Sequence, residues 1–255
     1  MRRIRVIPVL TLQNEKLVKT VKFKKPNYIG DPINAVKIFN EKEVDEIIIL
    51  DITATKEKRT PNYKKIEEIA EEAFMPFAYG GGIQNLTQVE KLFQLGIEKV
   101  VINSALANNL EVITQIAKKY GAQSVVAAID VKKDWLGNKN AYTFSGSKKV
   151  KIALLDFIKK VEAAGAGEVF LNQIDLDGTY SGYDLDLVSK VANATNLPLI
   201  VCGGAASVND FYAAVKQGAS AVAAGSMFVY QGKQKGILIN YPSQEVLMSM
   251  LYAKL

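Results

Sequence analysis

Four aspartates follow apolar, β-branched runs of the sequence, at positions where a buried strand would end. Asp130 comes directly after the run VVAAI, where desolvation would raise the pKa of its carboxyl group and suit it to proton transfer. The chain contains no histidine, so acid–base chemistry falls to Asp, Glu, Lys, Tyr or the single thiol, Cys202. Helix capping or solvation of a loop would explain each aspartate equally well. The four positions are Asp51, Asp130, Asp175 and Asp177.

The residue counts exclude several kinds of site. Without histidine there can be no Ser-His-Asp triad, no Cys-His pair and no His-ligated metal. A single cysteine excludes an internal disulfide and a cysteine-only zinc site. We predict no metal and no cofactor, and the single cysteine favours a reducing, cytoplasmic environment.

Two loops of the sequence have the composition of phosphate cradles. In each, a Gly-Gly pair follows an apolar run and opens a helix, and a small polar pair follows the next apolar run. Backbone N–H groups in such loops can approach an anion that also faces a helix N-terminus. The alternative is that the glycines only permit tight turns. The candidate residues are Gly82, Asn103 and Ser104 in the first cradle, and Gly204, Gly225 and Ser226 in the second.

The elements that would position these residues alternate regularly along the chain. Eight apolar runs, at 4–10, 46–51, 75–79, 99–102, 124–130, 168–172, 197–202 and 221–224, predict strands that are buried on both faces. Helices are predicted near 32–42, 62–73, 86–95, 108–119, 152–164, 185–194, 208–217 and 243–253, with capping boxes at Asn85 and Ser207. Eight such units favour a (βα)8 TIM barrel over a doubly wound sheet.

An internal repeat divides the chain. Residues 75–106 align without a gap with residues 197–228, and the Gly-Gly pairs, capping residues and strand ends coincide. The sequence therefore predicts a single domain made of two (βα)4 half-barrels, at about 1–122 and 123–255. Two cradles related by this repeat would hold a long ligand that carries a phosphate at each end.

Two long connections interrupt the pattern, at 13–30 and 132–150, and each predicts a β-hairpin on the side of the barrel that carries the chemistry. Lys19 lies in the first of them and could close over an anionic substrate, although a loop lysine is more often plain surface.

Four charged residues stand at the beginnings of predicted strands, which places them at the opposite mouth of the barrel. Two acids and two bases could form a ring of salt bridges there. A stabilising plug is one interpretation, and a gate over a path through the barrel is the other. The residues are Arg5, Glu46, Lys99 and Glu168.

The net charge of +6 and the pI of about 9.1 favour a solvated basic surface, then attraction of a polyanionic small molecule, and nucleic acid last. The N-terminal segment predicts a strand and not a signal peptide, and no apolar run approaches the length of a membrane span. We predict no nucleic-acid partner and no membrane association.

The sequence resembles the cyclase subunit of imidazole glycerol phosphate synthase over essentially its full length. The matching strings are RVIPVL at 5–10, VK at 18–19, GDP at 30–32, LDITA at 50–54, GGGI at 80–83, INSA at 102–105, VAAID at 126–130, GAGE at 165–168, DLDGTYSGYD at 175–184 and GGA at 203–205.

The resemblance implies an ammonia-using enzyme subunit. In that family a glutaminase partner docks at the N-terminal barrel face, and ammonia passes a charged gate and the barrel interior to a bis-phosphorylated ribonucleotide. The gate residues carry over to Arg5, Glu46, Lys99 and Glu168, and the residue that signals to the partner carries over to Glu98, an Asp in the family. The phosphate sites carry over to Gly82, Asn103, Ser104, Asp177, Gly178, Gly204, Gly225 and Ser226, the loop lysine to Lys19 and the catalytic aspartate of the second half to Asp130. We place Asp51 and Asn172 in the same substrate pocket.

The sequence departs from the family at its other catalytic position. The first catalytic aspartate of the family is replaced by Thr11, whose hydroxyl cannot serve as a general base near neutral pH. Val9, Asn172, Gln173 and Leu176 also differ from the family residues. This pattern resembles paralogs associated with sugar amidotransferases, which are thought to supply ammonia for acetamidino groups on bacterial surface sugars.

Three functions are compatible with these residues. The first is an ammonia-conducting barrel subunit with a glutaminase partner that serves amidation of a sugar, with a sugar amidotransferase as a further partner. The second is the genuine cyclase of histidine biosynthesis. The third is a subunit that activates a glutaminase without chemistry of its own.

Overall fold

A computed structural model describes residues 3–232 and 234–255 of the chain. In these residues the strands are β1 (Arg5–Gln13), β2 (Lys16–Val21), β3 (Lys24–Gly30), β4 (Ile47–Asp51), β5 (Phe77–Gly80), β6 (Lys99–Ile102), β7 (Val125–Lys133), β8 (Lys139–Thr143), β9 (Lys148–Lys149), β10 (Glu168–Gln173), β11 (Leu199–Cys202), β12 (Ala221–Ala224), β13 (Tyr230–Gln231) and β14 (Gly236–Ile237). The helices are α1 (Pro32–Glu41), α2 (Tyr63–Ala70), α3 (Leu86–Gln94), α4 (Glu111–Tyr120), α5 (Leu154–Ala163), α6 (Leu185–Ala192), α7 (Val208–Lys216), α8 (Ser226–Val229) and α9 (Gln244–Met250).

Eight of the strands form a closed parallel barrel. The order around it is β1-β4-β5-β6-β7-β10-β11-β12, and β12 pairs again with β1. Helices follow the strands and cover the outside, so that the main core lies between the strands and the helices. The protein is a (βα)8 TIM barrel, which confirms the predicted fold.

Alternation along the barrel strands separates two apolar layers. Val6, Leu10 and Leu12 of β1 join the core beneath the helices, whereas Ile7 and Val9 join a second cluster inside the barrel. Because side chains alternate with a period of two, one face of each strand points inward along its whole length. Two residues of one strand that are separated by an even number of positions therefore lie on the same face. If that face points inward, the first and last of them lie at opposite mouths of the barrel.

The repeat in the sequence is present in the structure. The elements β5, α3 and β6 recur as β11, α7 and β12 at a constant offset in residue number. Both helices have caps: Ser207 and Asp210 form the predicted capping box, and Asn85 accepts a hydrogen bond from the N–H of Gln88. The second half of the box predicted at Asn85 is wrong, because the Gln88 side chain accepts from the N–H of Gln84 instead.

The first strand is longer than predicted, and the reason is a hairpin. Beyond Leu10 it continues to Gln13 and pairs antiparallel with β2, which in turn pairs with β3. Thr11 therefore lies within a strand. The second predicted hairpin is built by β7 and β8, with β9 added to it.

The two hairpins meet over the carboxyl end of the barrel. A Cβ placed on Gly146, in the turn after β8, would lie 3.4 Å from the ring of Phe23, in the turn after β2. The Ser145 hydroxyl donates to the carbonyl of Ile52 at 3.3 Å, and the N–H of Lys22 donates to the carbonyl of Asp177 at 2.9 Å. We call this arrangement, made by Phe23, Ser145 and Gly146, the roof. None of the helices in the described ranges combines the length and apolar character that a bilayer crossing requires.

Candidate functional site

The carboxyl end of the barrel contains a pocket beneath the roof. It gathers the candidate residues Thr11, Lys19, Asp51, Gly82, Asn103, Ser104, Asp130, Asn172, Asp177 and Gly225, together with Phe23 and Ser145 of the roof. The strand ends that supply them belong to both halves of the chain. The chemistry-bearing side chains of the sequence thus meet at the mouth where TIM barrels hold their active sites.

Asp130 lies buried in the wall of this pocket. It is 8% exposed, and burial raises the pKa of its carboxyl group to about 7. Asn103 donates an amide N–H to Asp130 Oδ2 at 3.2 Å, and Asn172 donates to Oδ1 at 3.4 Å. A carboxyl group with this pKa can both give and take a proton near neutral pH. Burial also raises the pKa of the Cys202 thiol to about 12, so Cys202 stays protonated and takes no part as a base.

The first cradle opens into the pocket through two glycines. Gly81 and Gly82 have φ values of +131° and +71°, and both line the pocket. A Cβ on Gly82 would lie 2.6 Å from the carbonyl oxygen of Arg59, so that only glycine allows this close approach. Asn103 and Ser104 complete the cradle at the end of the next strand.

Asp51 organises the loop beside this cradle. Its Oδ1 accepts hydrogen bonds from the N–H and the hydroxyl of Thr53 and from the N–H of Ala54, at 3.0 to 3.1 Å. Its Oδ2 lies 3.3 Å from the guanidinium group of Arg59. Both carboxylate oxygens of Asp51 therefore bond to groups of the loop that follows it. This agrees with the structural interpretation of Asp51 that the sequence had left open. Sequence reasoning did not place Arg59 beside Asp51, because their contact depends on the conformation of the loop between them.

The second cradle differs from the first because a buried ion pair covers it. Lys19 Nζ lies 2.8 Å from Asp177 Oδ1, and both side chains are almost fully buried. A Cβ on Gly225 would lie 2.9 Å from Cε of Lys19, so the lysine side chain passes directly over the cradle. Lys19 belongs to β2, and it is not the mobile loop lysine that the sequence suggested.

Three of the residues that the resemblance assigns to phosphate binding do not line the pocket. Gly178 packs against the backbone of Thr20, and Gly204 against the carbonyl of Gly182. The Ser226 hydroxyl is buried and has no hydrogen-bond partner in the described residues. The fourth strand-end aspartate, Asp175, accepts a hydrogen bond from the N–H of Lys133 at 2.7 Å and lies outside the pocket.

Thr11 lines the pocket from the end of the inward face of β1. Its hydroxyl donates to the carbonyl oxygen of Val18 across the first hairpin. The hydroxyl proton is thereby committed to the backbone, and Thr11 offers the pocket no group that titrates near neutral pH.

The opposite mouth of the barrel carries a closed ring of ion pairs, made by Arg5, Glu46, Lys99 and Glu168; we call it the ion ring. Arg5 contacts Glu46 at 2.5 Å and Glu168 at 2.8 Å. Lys99 contacts the same two carboxylates at 3.0 Å each. Arg5 and Lys99 thus each bridge both glutamates, which gives the ring of salt bridges that the sequence analysis described as possible.

Two exposed residues lie on the same face as the ion ring. Glu98 is exposed and directly precedes Lys99. Phe74, 85% exposed, lies in the loop that enters β5, and its N–H donates to the Asn40 side chain. An aromatic ring this exposed is typical of an interaction surface. Sequence reasoning missed Phe74, because a single aromatic residue in a loop gives no periodic signal.

Fold and pocket together define a TIM-barrel protein with its candidate site at the carboxyl ends of the strands. The family model described as histidine biosynthesis protein matches residues 5–235. A Pseudomonas aeruginosa protein provisionally named imidazole glycerol phosphate synthase subunit hisF2 is 50% identical over 241 residues, which is 94% of this chain and 96% of that one. A Vibrio vulnificus protein provisionally named subunit hisF3 is 50% identical over 95% of this chain and 94% of its own. Imidazole glycerol phosphate synthase subunit HisF of Natranaerobius thermophilus is 38% identical over 94% of this chain and 96% of its own. The chain belongs to the HisF family of imidazole glycerol phosphate synthase subunits.

Proposed function

We propose that this chain receives ammonia from a glutaminase subunit at the N-terminal barrel face and conducts it through the barrel to the pocket, for acetamidino formation on a surface-polysaccharide sugar. The observation that carries the proposal is the alignment of the ion ring with the pocket. Arg5 and Thr11 of β1 are separated by an even number of positions and share its inward face, as do Glu168 and Asn172 of β10. Lys99 begins β6, and Asn103, which directly follows that strand, reaches the pocket. The inward face of each of these strands therefore begins at the ion ring and ends at the pocket.

The barrel interior between the two ends suits ammonia. It is lined by apolar side chains, and four of its positions, Ala78, Ala128, Ala221 and Ala223, carry only a methyl group. Neutral ammonia can enter such surroundings, whereas an ammonium ion pays a large desolvation cost. A ring of four ion pairs at the entrance would open only when a partner rearranges it.

The N-terminal face offers two residues to a glutaminase. Phe74 supplies an exposed aromatic anchor, and Glu98 supplies an exposed charge next to a member of the ion ring. Docking there would bring the partner directly onto Lys99.

Thr11 separates this proposal from the genuine cyclase. The resemblance places the family's first catalytic aspartate at this position, and a hydroxyl bound to a carbonyl cannot replace it. General acid–base assistance contributes about 10²–10⁴-fold to a rate. The higher identity to the hisF2 and hisF3 proteins, 50% against 38% for the Natranaerobius HisF protein, supports a paralog.

Two other functions have an observation in their favour. The cyclase function is supported by Asp130 and the open first cradle, both of which that chemistry would use. A glutaminase-activating subunit without chemistry is supported by the ion pair of Lys19 and Asp177, which covers the second cradle.

The purified chain distinguishes these functions. With ammonia and the bis-phosphorylated ribonucleotide we expect no imidazole glycerol phosphate from the natural chain, and a gain of product in Thr11→Asp. Turnover by the natural chain at the rate of a HisF enzyme would contradict the proposal and establish the cyclase. In cells, deletion of the gene should remove acetamidino groups from the surface polysaccharide and leave growth without histidine unchanged.

Ammonia transfer is tested at the ion ring. With the glutaminase bound, Lys99→Met should release ammonia to the solvent while glutamine hydrolysis continues. Lys37→Met is the matched control, because Lys37 pairs with Glu72 on the exposed surface at 3.1 Å. Unchanged coupling in Lys99→Met would exclude the ring as a gate.

A further inference from the structure

The face that carries the pocket has a solvent-exposed apolar tip. Trp135 is 90% exposed and Leu136 is 64% exposed, in the turn between β7 and β8. Trp135 is the single tryptophan of the chain. A tryptophan and a leucine held side by side in water are costly to a free protein and are typical of an interaction surface.

Hydrogen bonds within the turn fix the conformation of the tip in the free protein. Asp134 Oδ1 accepts hydrogen bonds from the N–H groups of Leu136 at 3.0 Å and Asn138 at 2.9 Å. The backbone N–H of Asp134 donates to the carbonyl of Asn138 at 2.9 Å, and Gly137 supplies the positive φ that the turn needs. Preorganisation of this kind lowers the entropy cost of binding.

The two hairpins over the pocket, one of which carries the tip, are rich in lysine. Residues 131–151 contain six lysines and one aspartate, and residues 13–30, the other hairpin over the pocket, contain five lysines and one glutamate. These two segments carry a charge of +9, and the Asp177 and Asp184 carboxylates that pair with Lys19, Lys133 and Lys139 reduce it to +7, which still exceeds the +6 of the whole chain. Lys148, Lys149 and Lys151 have no carboxylate within ion-pair distance in the described ranges.

We infer that the pocket face docks an acidic protein through Trp135 and Leu136, and that this protein is the ammonia acceptor enzyme of the proposed function, on which the inference rests. The lysines complement an acidic partner and oppose a second copy of this chain, whose own pocket face would repel it. The apolar tip favours a protein over a small polyanion. Because the two docking faces lie at opposite mouths of the barrel, both partners can bind at once.

A photo-reactive phenylalanine analogue placed at position 135, and separately at 74, tests this in cells. We expect position 135 to crosslink to an acidic protein that differs from the glutaminase, and position 74 to crosslink to the glutaminase. Crosslinking at 135 to the glutaminase, to nucleic acid, to another copy of the chain or to nothing would overturn the inference. Failure at 74 alone would contradict the glutaminase arm of the proposed function and leave the docking face standing.

Binding of the purified crosslinked protein provides the second measurement. Trp135→Ala with Leu136→Ala should weaken its affinity at least tenfold, and Lys149→Glu should slow association and reduce the salt dependence. The matched controls are Phe74→Ala, on the other face, and Lys118→Glu, exposed on α4; both should bind normally. The tip variant, Lys149→Glu and Lys118→Glu should still stimulate the glutaminase, whereas Phe74→Ala should not. Normal binding by the tip variant would refute the docking face.

Discussion

The ammonium group of Lys19 lies 2.8 Å from Asp177 Oδ1, although 158 positions separate the two residues. The ion pair connects β2 of the first hairpin with the loop after β10, in the second half of the barrel. It also makes the two cradles unequal, because the first is open to the pocket whereas the ion pair of Lys19 and Asp177 covers the second.

Lys19→Met should weaken phosphate binding at least tenfold, because it removes the cation of the second cradle and leaves the Asp177 carboxylate to repel the anion. A titration with inorganic phosphate followed by ³¹P NMR measures this. Lys149→Met, on the exposed surface, is the control and should bind phosphate as the natural chain does. Equal affinities in all three proteins would show that Lys19 takes no part in binding.

Asp130 should make the free energy of unfolding fall as the pH rises from about 4 to 7. Its pKa is raised to about 7 by burial, so in this window the folded state holds a proton that the unfolded state has lost. Three pKa units correspond to about 4 kcal/mol as an upper limit. Urea unfolding of the natural chain and of Asp130→Asn at pH 5 and pH 8 measures the difference. The advantage of the natural chain over the variant should shrink at pH 8, and a difference independent of pH would contradict the raised pKa. No imidazole titrates in this window, because the chain has no histidine.

Glu46→Gln should lower the free energy of unfolding by about 3 kcal/mol, because the Glu46 side chain is 2% exposed and two cations face it. Glu72→Gln, which breaks an exposed pair, should cost less than about 1 kcal/mol. Chemical unfolding followed by circular dichroism compares them. Equal losses would mean that the ion ring is solvated like an ordinary surface pair.

Gly82→Ala should destabilise the protein by more than about 2 kcal/mol and abolish phosphate binding at the first cradle. Its new Cβ would lie 2.6 Å from the Arg59 carbonyl oxygen, in addition to the cost of a positive φ. Gly96→Ala isolates the second cost, since Gly96 has φ +89° and no atom within 4 Å of the new Cβ; about 1 kcal/mol is expected. If the two variants lose the same stability, the cradle backbone is free to shift.

Much of the fold follows from local pattern. Each barrel strand lies within two residues of its predicted start, because buried apolar runs and helix caps both act over a few residues. The far end of β1 was misplaced by three residues, since its extension depends on pairing with β2 and not on its own sequence. The start of α4 was placed three residues early, because the N–H of Asn109 bonds to the carbonyl of Ala105 and the Asn109 side chain accepts from the N–H of Glu111.

The candidate site also contains residues that local sequence predicts and contacts that it does not. Asp130, the glycines and the strand-end charges were predictable because their chemistry depends on their position in one strand or turn. The ion pair of Lys19 and Asp177 and the close approach of the Phe23 ring to Gly146 join distant segments, and no local pattern contains them. The pocket is therefore less symmetric than the repeat in the sequence suggests.

The exposed hairpin tip also determines how the intrinsic fluorescence of the protein can be used. Trp135 is the single indole of the chain and is almost fully in contact with water in the folded state. Its emission should change little when the barrel unfolds, so tryptophan fluorescence is a poor reporter of stability here. The same emission will shift to shorter wavelength only when something covers the tip, which makes an unlabelled sample its own sensor of docking at that face.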